Sequence, residues 1–348
     1  MPEPASQPLH VAMVAPPWFE LPPGGYGGIE AMCAALVDQL VLRGHRVTLL
    51  AAGRNGTRAD KFFATYETPP SQRLGQGIPE VVHAVMAAEL LDDLDADVVH
   101  DHSFAGPLSA GCRPIPTVVT AHGPVNGEFG RYYRALGGMV RLVAISHAQV
   151  RAAPEITWAG VVHNAVPVDD YPFRADKDGF VLSLGRLDPS KGAHLAVDAA
   201  RAAGRRLVLA GKCTEPPERR YFDEAVRPRL GPDVEWLGEV DNATKLELLA
   251  GASCLLFPLQ WEEPFGMVMI EAMACGTPVV ALRRGAVPEV VAHGSGGLVC
   301  DRADELPAAI EQVGSIDPAA CRRLARERFD VSVMAAGYES LYARCVAA

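Results

Sequence analysis

Short runs of β-branched and aliphatic residues alternate along the chain with longer segments whose apolar positions recur at helical spacing. In the first half, Leu9–Ala15, Val47–Ala51, Val98–His100, Thr117–Ala121 and Arg141–Ile145 predict strands. Between the first two, Ile29, Met32, Cys33, Leu36 and Leu40 form one apolar face of a helix over Gly28–Leu42, and Gly44 stops it. Around 164–174 the pattern breaks into Asn-Ala-Val-Pro-Val-Asp-Asp-Tyr-Pro, the composition of a linker. The alternation then restarts. Phe180–Leu184, Leu207–Ala210, Val234–Leu237, Cys254–Phe257 and Pro278–Ala281 predict strands; Ala193–Ala203, Ala243–Gly251 and Gly266–Cys275 predict helices. The expectation is an α/β chain of two Rossmann-like, doubly wound parallel-sheet domains, 1–167 and 168–330. Each would bind ligands beyond the carboxyl ends of its strands, so two such units facing one another would share one cleft.

Composition narrows this. A chain of 348 residues, 49% hydrophobic, is long enough for two cores and too apolar for disorder. Its net charge of −10 argues against nucleic acid or an anionic membrane as the main partner, so an anionic ligand needs local cations. No apolar run approaches about 18 residues, which speaks against an integral membrane protein. Met1–Pro8 lacks the basic and apolar segments of a leader. The eight cysteines form no C-x-x-C pair, and reduced core thiols fit them best. A cytoplasmic protein is expected. Few lysines and abundant alanine suggest a GC-rich bacterial genome.

The most informative stretch is Glu263-Pro-Phe-Gly-Met-Val-Met-Ile-Glu271, closed by Gly276 and Pro278. Met267, Val268, Met269, Ile270 and Met273 surround Glu271 with apolar side chains. A carboxylate left there unpaired would cost several kcal/mol. A vicinal diol could satisfy both its oxygens. Glu263 precedes the helix, where the N–H groups of Gly266 and Met267 would meet an anion. Diol, anion and a second carboxylate describe a sugar-nucleotide pocket; a helix-end acid plus an internal salt bridge is the competing structural explanation.

Gly185-Arg-Leu-Asp-Pro-Ser-Lys-Gly192 lies between a strand and a helix and carries two cations that could neutralise a diphosphate without a metal. The segment Pro22–Glu30 is glycine-rich, but Glu30 stands where G-x-G-x-x-G needs its third glycine. His122 and the run His100-Asp101-His102 end strands, where ligands gather. No third metal ligand follows at a recognisable spacing, so no metal is expected. Asp95-Ala-Asp97 precedes its strand, the wrong edge for a ligand, and reads as solvated charge.

The chain resembles the retaining glycosyltransferases of family 4, which have the GT-B fold. The resemblance rests on G-R-L-x3-K-G at 185–192, the E-x7-E pair and Glu-Ala-Met-Ala-Cys-Gly-Thr-Pro-Val-Val at 271–280. Gly27-Gly28, His122-Gly123, Ser146, Trp236–Val240 and Pro288-Glu289 extend it more weakly. It implies that Arg186 and Lys191 hold the donor diphosphate, with Gly27 and Gly28 closing on it from the other domain. Glu271 would take the ribose hydroxyls and Glu263 those of the transferred sugar. Phe265, Gly266 and Met267 would offer backbone contacts. Gly238, Glu239 and Val240 would line the base, His122 would sit beside the sugar, and the last helix (within 331–348) would pack back on the first domain. The donor would be a UDP-sugar, with GDP- or TDP-sugars as alternatives, and no cofactor is implied. Within the family the chain looks most like bacterial members acting on small molecules, antibiotic-pathway enzymes included. Tyr26, Asp101, His102 and Asn126, with Phe129 and Tyr132, are candidate acceptor contacts. One departure stands out: Asn164-Ala165-Val166 replaces an Asn-Gly-Val common in the family, which puts a donor contact by Asn164 in question. A sugar-nucleotide epimerase of the same fold, a phosphorylase with pyridoxal phosphate on Lys212 or Lys245, and a non-catalytic sensor are the competing functions. Oligomeric state is left open.

Overall fold

A computed structural model describes residues 7–347; the first six residues of the segment read as carrying no leader lie outside the described residues. The chain packs as two compact units that exchange at Asn164/Ala165 and again at Asp330/Val331.

The N-terminal unit is built on seven parallel strands: β1 (His10–Val14), β2 (Arg46–Ala52), β3 (Lys61–Tyr66), β4 (Val98–Asp101), β5 (Thr117–Ala121), β6 (Arg141–Ala144) and β7 (Trp158–Val161). Their order in the sheet is β3-β2-β1-β4-β5-β6-β7. The central strands are apolar on both faces because helices cover both: Val11 to Val14 and Leu49 to Ala52 are fully enclosed. The connecting helices are α1 (Gly28–Leu42), α2 (Gly77–Asp92), α3 (Gly127–Leu136) and α4 (His147–Ala152). Of these, α1 has the bounds its apolar spacing predicts.

The C-terminal unit holds six parallel strands in the order β10-β9-β8-β11-β12-β13. These are β8 (Val181–Leu184), β9 (Leu207–Ala210), β10 (Val234–Trp236), β11 (Cys254–Phe257), β12 (Val279–Leu282) and β13 (Gly297–Cys300). Its helices are α5 (Ala193–Ala202), α6 (Pro216–Tyr221), α7 (Asn242–Gly251), α8 (Met267–Ala274), α9 (Val287–Val290), α10 (Leu306–Gln312) and α11 (Pro318–Phe329). The last helix, α12 (Val331–Val346), belongs to the N-terminal unit. It is pinned there by polar bonds as well as packing. The Tyr342 hydroxyl lies 2.6 Å from His100 Nδ1, and that of Tyr338 2.9 Å from Thr120 Oγ1. Glu339 accepts from Arg43 Nε at 2.6 Å and lies 2.8 Å from His45 Nε2. Both tyrosine rings are fully buried, so α12 closes that core instead of lying on it.

Among the described residues, no helix is long and apolar enough to cross a membrane.

Candidate active site

In each sheet the winding reverses once, between β1 and β4 and between β8 and β11. Loops leaving such a strand pair diverge and open a crevice beyond the carboxyl ends. In the C-terminal unit those two loops are Gly185–Gly192, after β8, and Pro258–Gly266, after β11. They are joined: Gln260 N donates to the Ser190 carbonyl at 2.7 Å. Gly192 makes the approach possible, since at φ +73° a Cβ there would lie 2.2 Å from the Pro258 oxygen. Across the junction Lys191 Nζ donates to Glu263 Oε2 at 2.6 Å. Trp261 Nε1 donates to the same oxygen at 3.0 Å, and its ring lies 5.0 Å beneath the ammonium. Both bonds fall on Oε2, and among the described residues none reaches Oε1. The structure therefore brings Lys191 and Glu263 into contact, with one carboxylate oxygen left over.

Glu271 follows the same pattern. It sits in the second turn of α8, where Tyr171 and Lys245 both bond Oε1, at 3.3 and 2.9 Å. Again, among the described residues none bonds Oε2. The internal salt bridge, the competing explanation for this carboxylate, is therefore present: Glu271 is half-buried and paired with Lys245. Burial, reinforced by Glu271 beside it, holds the Tyr171 phenol well above its usual range, so it stays a donor. Both lysines raised as alternative cofactor anchors are ion-paired. Lys245 is the ion-pair partner of Glu271, and Lys212 lies 2.5 Å from Glu215 and 3.5 Å from Glu218.

Arg186 is half-exposed, 3.9 Å from Glu218, whose other oxygen accepts from Thr214 N and Glu215 N. Gly211 N donates to the Gly238 carbonyl at 2.8 Å, which ties the turn after β9 to the segment Gly238–Val240. Glu239 in that segment is exposed and Val240 half-buried. The Phe265 side chain is in the core, 5.9 Å from the Phe329 ring, leaving only its backbone for a ligand. Gly266 caps α8 at φ +85°, and Met267 is the first helical residue. Gly285 N and Ala286 N brace the Glu263 loop through Glu262 Oε2 and the Glu263 carbonyl, at 2.5 and 2.8 Å. Sequence reasoning missed Trp261, Tyr171, Lys245 and Glu262. Trp261 and Glu262, which immediately precede Glu263, had a local signal, and Lys245 had been given another role.

In the N-terminal unit Gly27 caps α1 and Gly28 begins it. Tyr26 is exposed and packs edge-on against Phe19, while Asn126 is exposed at the start of α3 with no side-chain cap bond. Asp101 and His102, candidate acceptor contacts in the sequence, are both buried. Asp101 Oδ1 accepts from Ser103 N and Oγ, and burial pushes its carboxyl up to about 6 against those bonds. His102 Nδ1 lies 2.8 Å from His122 Nε2. Burial drives His122 down to about 3, so it is a neutral hydrogen-bonding group. Both ring nitrogens of His100 are taken, by Tyr342 and Thr120, which leaves it none for a metal. Ala165 needs no left-handed backbone, since among the described residues only glycines have positive φ. Asn164 is buried with Oδ1 unbonded.

These groups give the N-terminal unit a distinctive acid response. Burial lowers His83 to about 4 and His122 to about 3, and holds His100 and His102 well below the usual range. All four bind protons on unfolding once pH falls below about 6.5, so each removes up to about 1.4 kcal/mol per pH unit. Glu30 and Asp101, raised by burial to about 7 and about 6, and Glu80, also raised, act oppositely: they hold protons in the folded state that the unfolded chain has released. The opposition ends near pH 4.5, where the unfolded carboxylates also protonate. Stability measured by urea unfolding should therefore fall slowly from pH 6.5 to about 4.5 and steeply below it. A flat profile down to pH 4 would contradict this.

Residues 26–170 match the family model for glycosyltransferase family 4, and residues 170–328 that for glycosyl transferases group 1. The chain is 30% identical to the alpha-maltose-1-phosphate synthase of Mycobacterium tuberculosis, over 85% of this chain and 86% of that one. AviGT4, a glycosyltransferase involved in avilamycin A biosynthesis, is 31% identical and superposes with a TM-score of 0.76 over 98% of both chains. Anabaena HepE in complex with UDP-glucose has the same fold at 19% identity, with a TM-score of 0.71 over 97% of this chain and 99% of that one. Two parallel doubly wound sheets, with paired cations and carboxylates beside a switch point, thus define a GT-B glycosyltransferase. The chain belongs to glycosyltransferase family 4.

Proposed function

We propose that this enzyme moves a sugar from a UDP-sugar to a small-molecule acceptor of the secondary-metabolite kind, with retention at the anomeric carbon and without a metal. The observation that carries the reading is the junction of the two switch loops, where Lys191 meets Glu263 beside Gly266 at the start of α8, with Arg186 on the same loop as Lys191. Arg186, Lys191 and the N–H groups of Gly266 and Met267 supply positive charge for a diphosphate leaving group. Glu271 Oε2 is open to a ribose hydroxyl and Glu263 Oε1 to a hydroxyl of the sugar, each carboxylate being oriented through its other oxygen. His122, neutral, serves as a hydrogen-bond partner and not as an acid. HepE with UDP-glucose supports the donor class, and AviGT4 supports the acceptor class.

In the front-face route the bond from the anomeric carbon to the diphosphate oxygen breaks while the acceptor oxygen bonds the same face. The acceptor's proton passes to the departing diphosphate oxygen, so no protein nucleophile is required. A glycosyl adduct trapped on Glu263 would refute that route. The broader reading is tested by thermal shift with UDP-, GDP-, ADP- and TDP-sugars. A donor at a hundred times its Kd should stabilise the protein by about 2.7 kcal/mol. No shift with any nucleotide would overturn the assignment, and an isomerised sugar released without acceptor would turn it to an epimerase.

A further inference from the structure

Helix α2 is apolar on two sides. Pro79, Ala87 and Leu91 face inward with Glu80 and His83, and Ala87 and Leu91 join the core beneath β1 and β4. On the other side Ile78, Val81, Val82, Val85 and Met86 recur at i, i+3, i+4, i+7 and i+8, one continuous helical face. All five are exposed, from 39% at Met86 to 63% at Ile78. Leu108, on the turn Gly106–Cys112 packed along α2, is 62% exposed and widens the stripe. Together they form a bare apolar surface on the order of 500 Å², in the range of the largest patch on a soluble monomer, which is often a contact site.

Charge discriminates between occupants. Helix α2 contains no Lys or Arg, its carboxyl end carries the exposed acids Glu89, Asp92 and Asp93, and the chain's net charge is −10. An anionic bilayer would be repelled, and an interfacial helix would need cations flanking its apolar face. The stripe is instead complementary to itself. A two-fold axis passing between Val81 and Val82 sets two copies of α2 antiparallel. Val81 of one copy then faces Val82 of the other, and Ile78 faces Val85 and Met86. In the sequence register of that pairing Arg73, the exposed cation four residues before α2, comes opposite the exposed Glu89 and Asp92 of the other copy. The pairing also opposes the two helix dipoles.

We propose that this face of α2 pairs with α2 of a second copy of the chain in an isologous dimer. The paired patches would bury on the order of 1,000 Å² in total, at the low end of specific interfaces, so the dimer should dissociate in the micromolar range. Sedimentation of the full chain from about 1 to about 100 µM should show a concentration-dependent monomer–dimer equilibrium. Val82→Glu and Val85→Glu should each leave a monomer over the same range, with the melting temperature unchanged because neither side chain is in the core. Arg73→Glu should weaken the dimer about tenfold, and Asp92→Arg in the same chain should restore it. A monomer at every concentration, or a dimer indifferent to both valine substitutions, would overturn the proposal. So would a chain that stays monomeric and floats with phosphatidylcholine/phosphatidylglycerol vesicles, a result that would give the face to a membrane.

Discussion

Lys191→Met is expected to lower stability by about 2 kcal/mol and turnover by at least about 100-fold. The stability loss follows from stranding Glu263, which is only 8% exposed, without its counter-ion. Breaking a buried pair costs about 3–5 kcal/mol, and the partial exposure of the lysine reduces that here. The loss in rate follows from removing a cation beside the proposed leaving group. The two effects come apart in the double variant Lys191→Met/Glu263→Gln. The amide keeps an acceptor for Trp261 and needs no cation, so stability should return to within about 1 kcal/mol of the parent while turnover stays low. Denaturant unfolding and initial rates with saturating donor measure both. If the double variant recovered activity along with stability, the ion pair would be structural only.

The second large effect is on binding. Glu271→Gln should raise the donor KM by about 10- to 100-fold and leave kcat nearly unchanged, the signature of an interaction equally strong before and during reaction. Glu263→Gln should do the reverse, lowering kcat with a smaller change in KM. The contrast matters because both carboxylates are held alike, one oxygen on a lysine and the other open. Equal kcat losses for the two, with donor KM unmoved, would end the division of labour between ribose and sugar.

The parts of the fold readable from sequence were those whose residues face one consistent environment. Strand β5 and helix α1 were readable to the residue, because Thr117–Ala121 is buried throughout and α1 has a single apolar stripe. The edge strands β3 and β7 were not: Lys-Phe-Phe-Ala-Thr-Tyr and Trp-Ala-Gly-Val are half-exposed and mix the signals of strand and loop. Strand β13 begins on Gly297, a residue that reads as a turn. Helix α2 escaped because its apolar residues run almost all round, which blurs the 3.6-residue period. At the site, local motifs located Arg186, Lys191, Glu263 and Glu271. Their partners were invisible, since Tyr171 lies 100 residues from Glu271 and Lys191 lies 72 from Glu263. Which loops leave neighbouring strands is a matter of sheet order, and periodicity carries no record of it.

The place of α12 has a consequence for how the polypeptide is made. The first unit emerges from the ribosome with all seven strands but without Tyr338, Tyr342 and Glu339, which fill and fasten its core. It must wait, incomplete, while the 166 residues from Ala165 to Asp330 are synthesised. A nascent chain of this kind should stay protease-sensitive in its first unit until α12 has emerged, although domains commonly fold in order of synthesis. Loss of α12 would then leave the amino-terminal unit without its closing element. Synthesis of α12 thereby acts as a checkpoint on the unit that was made first.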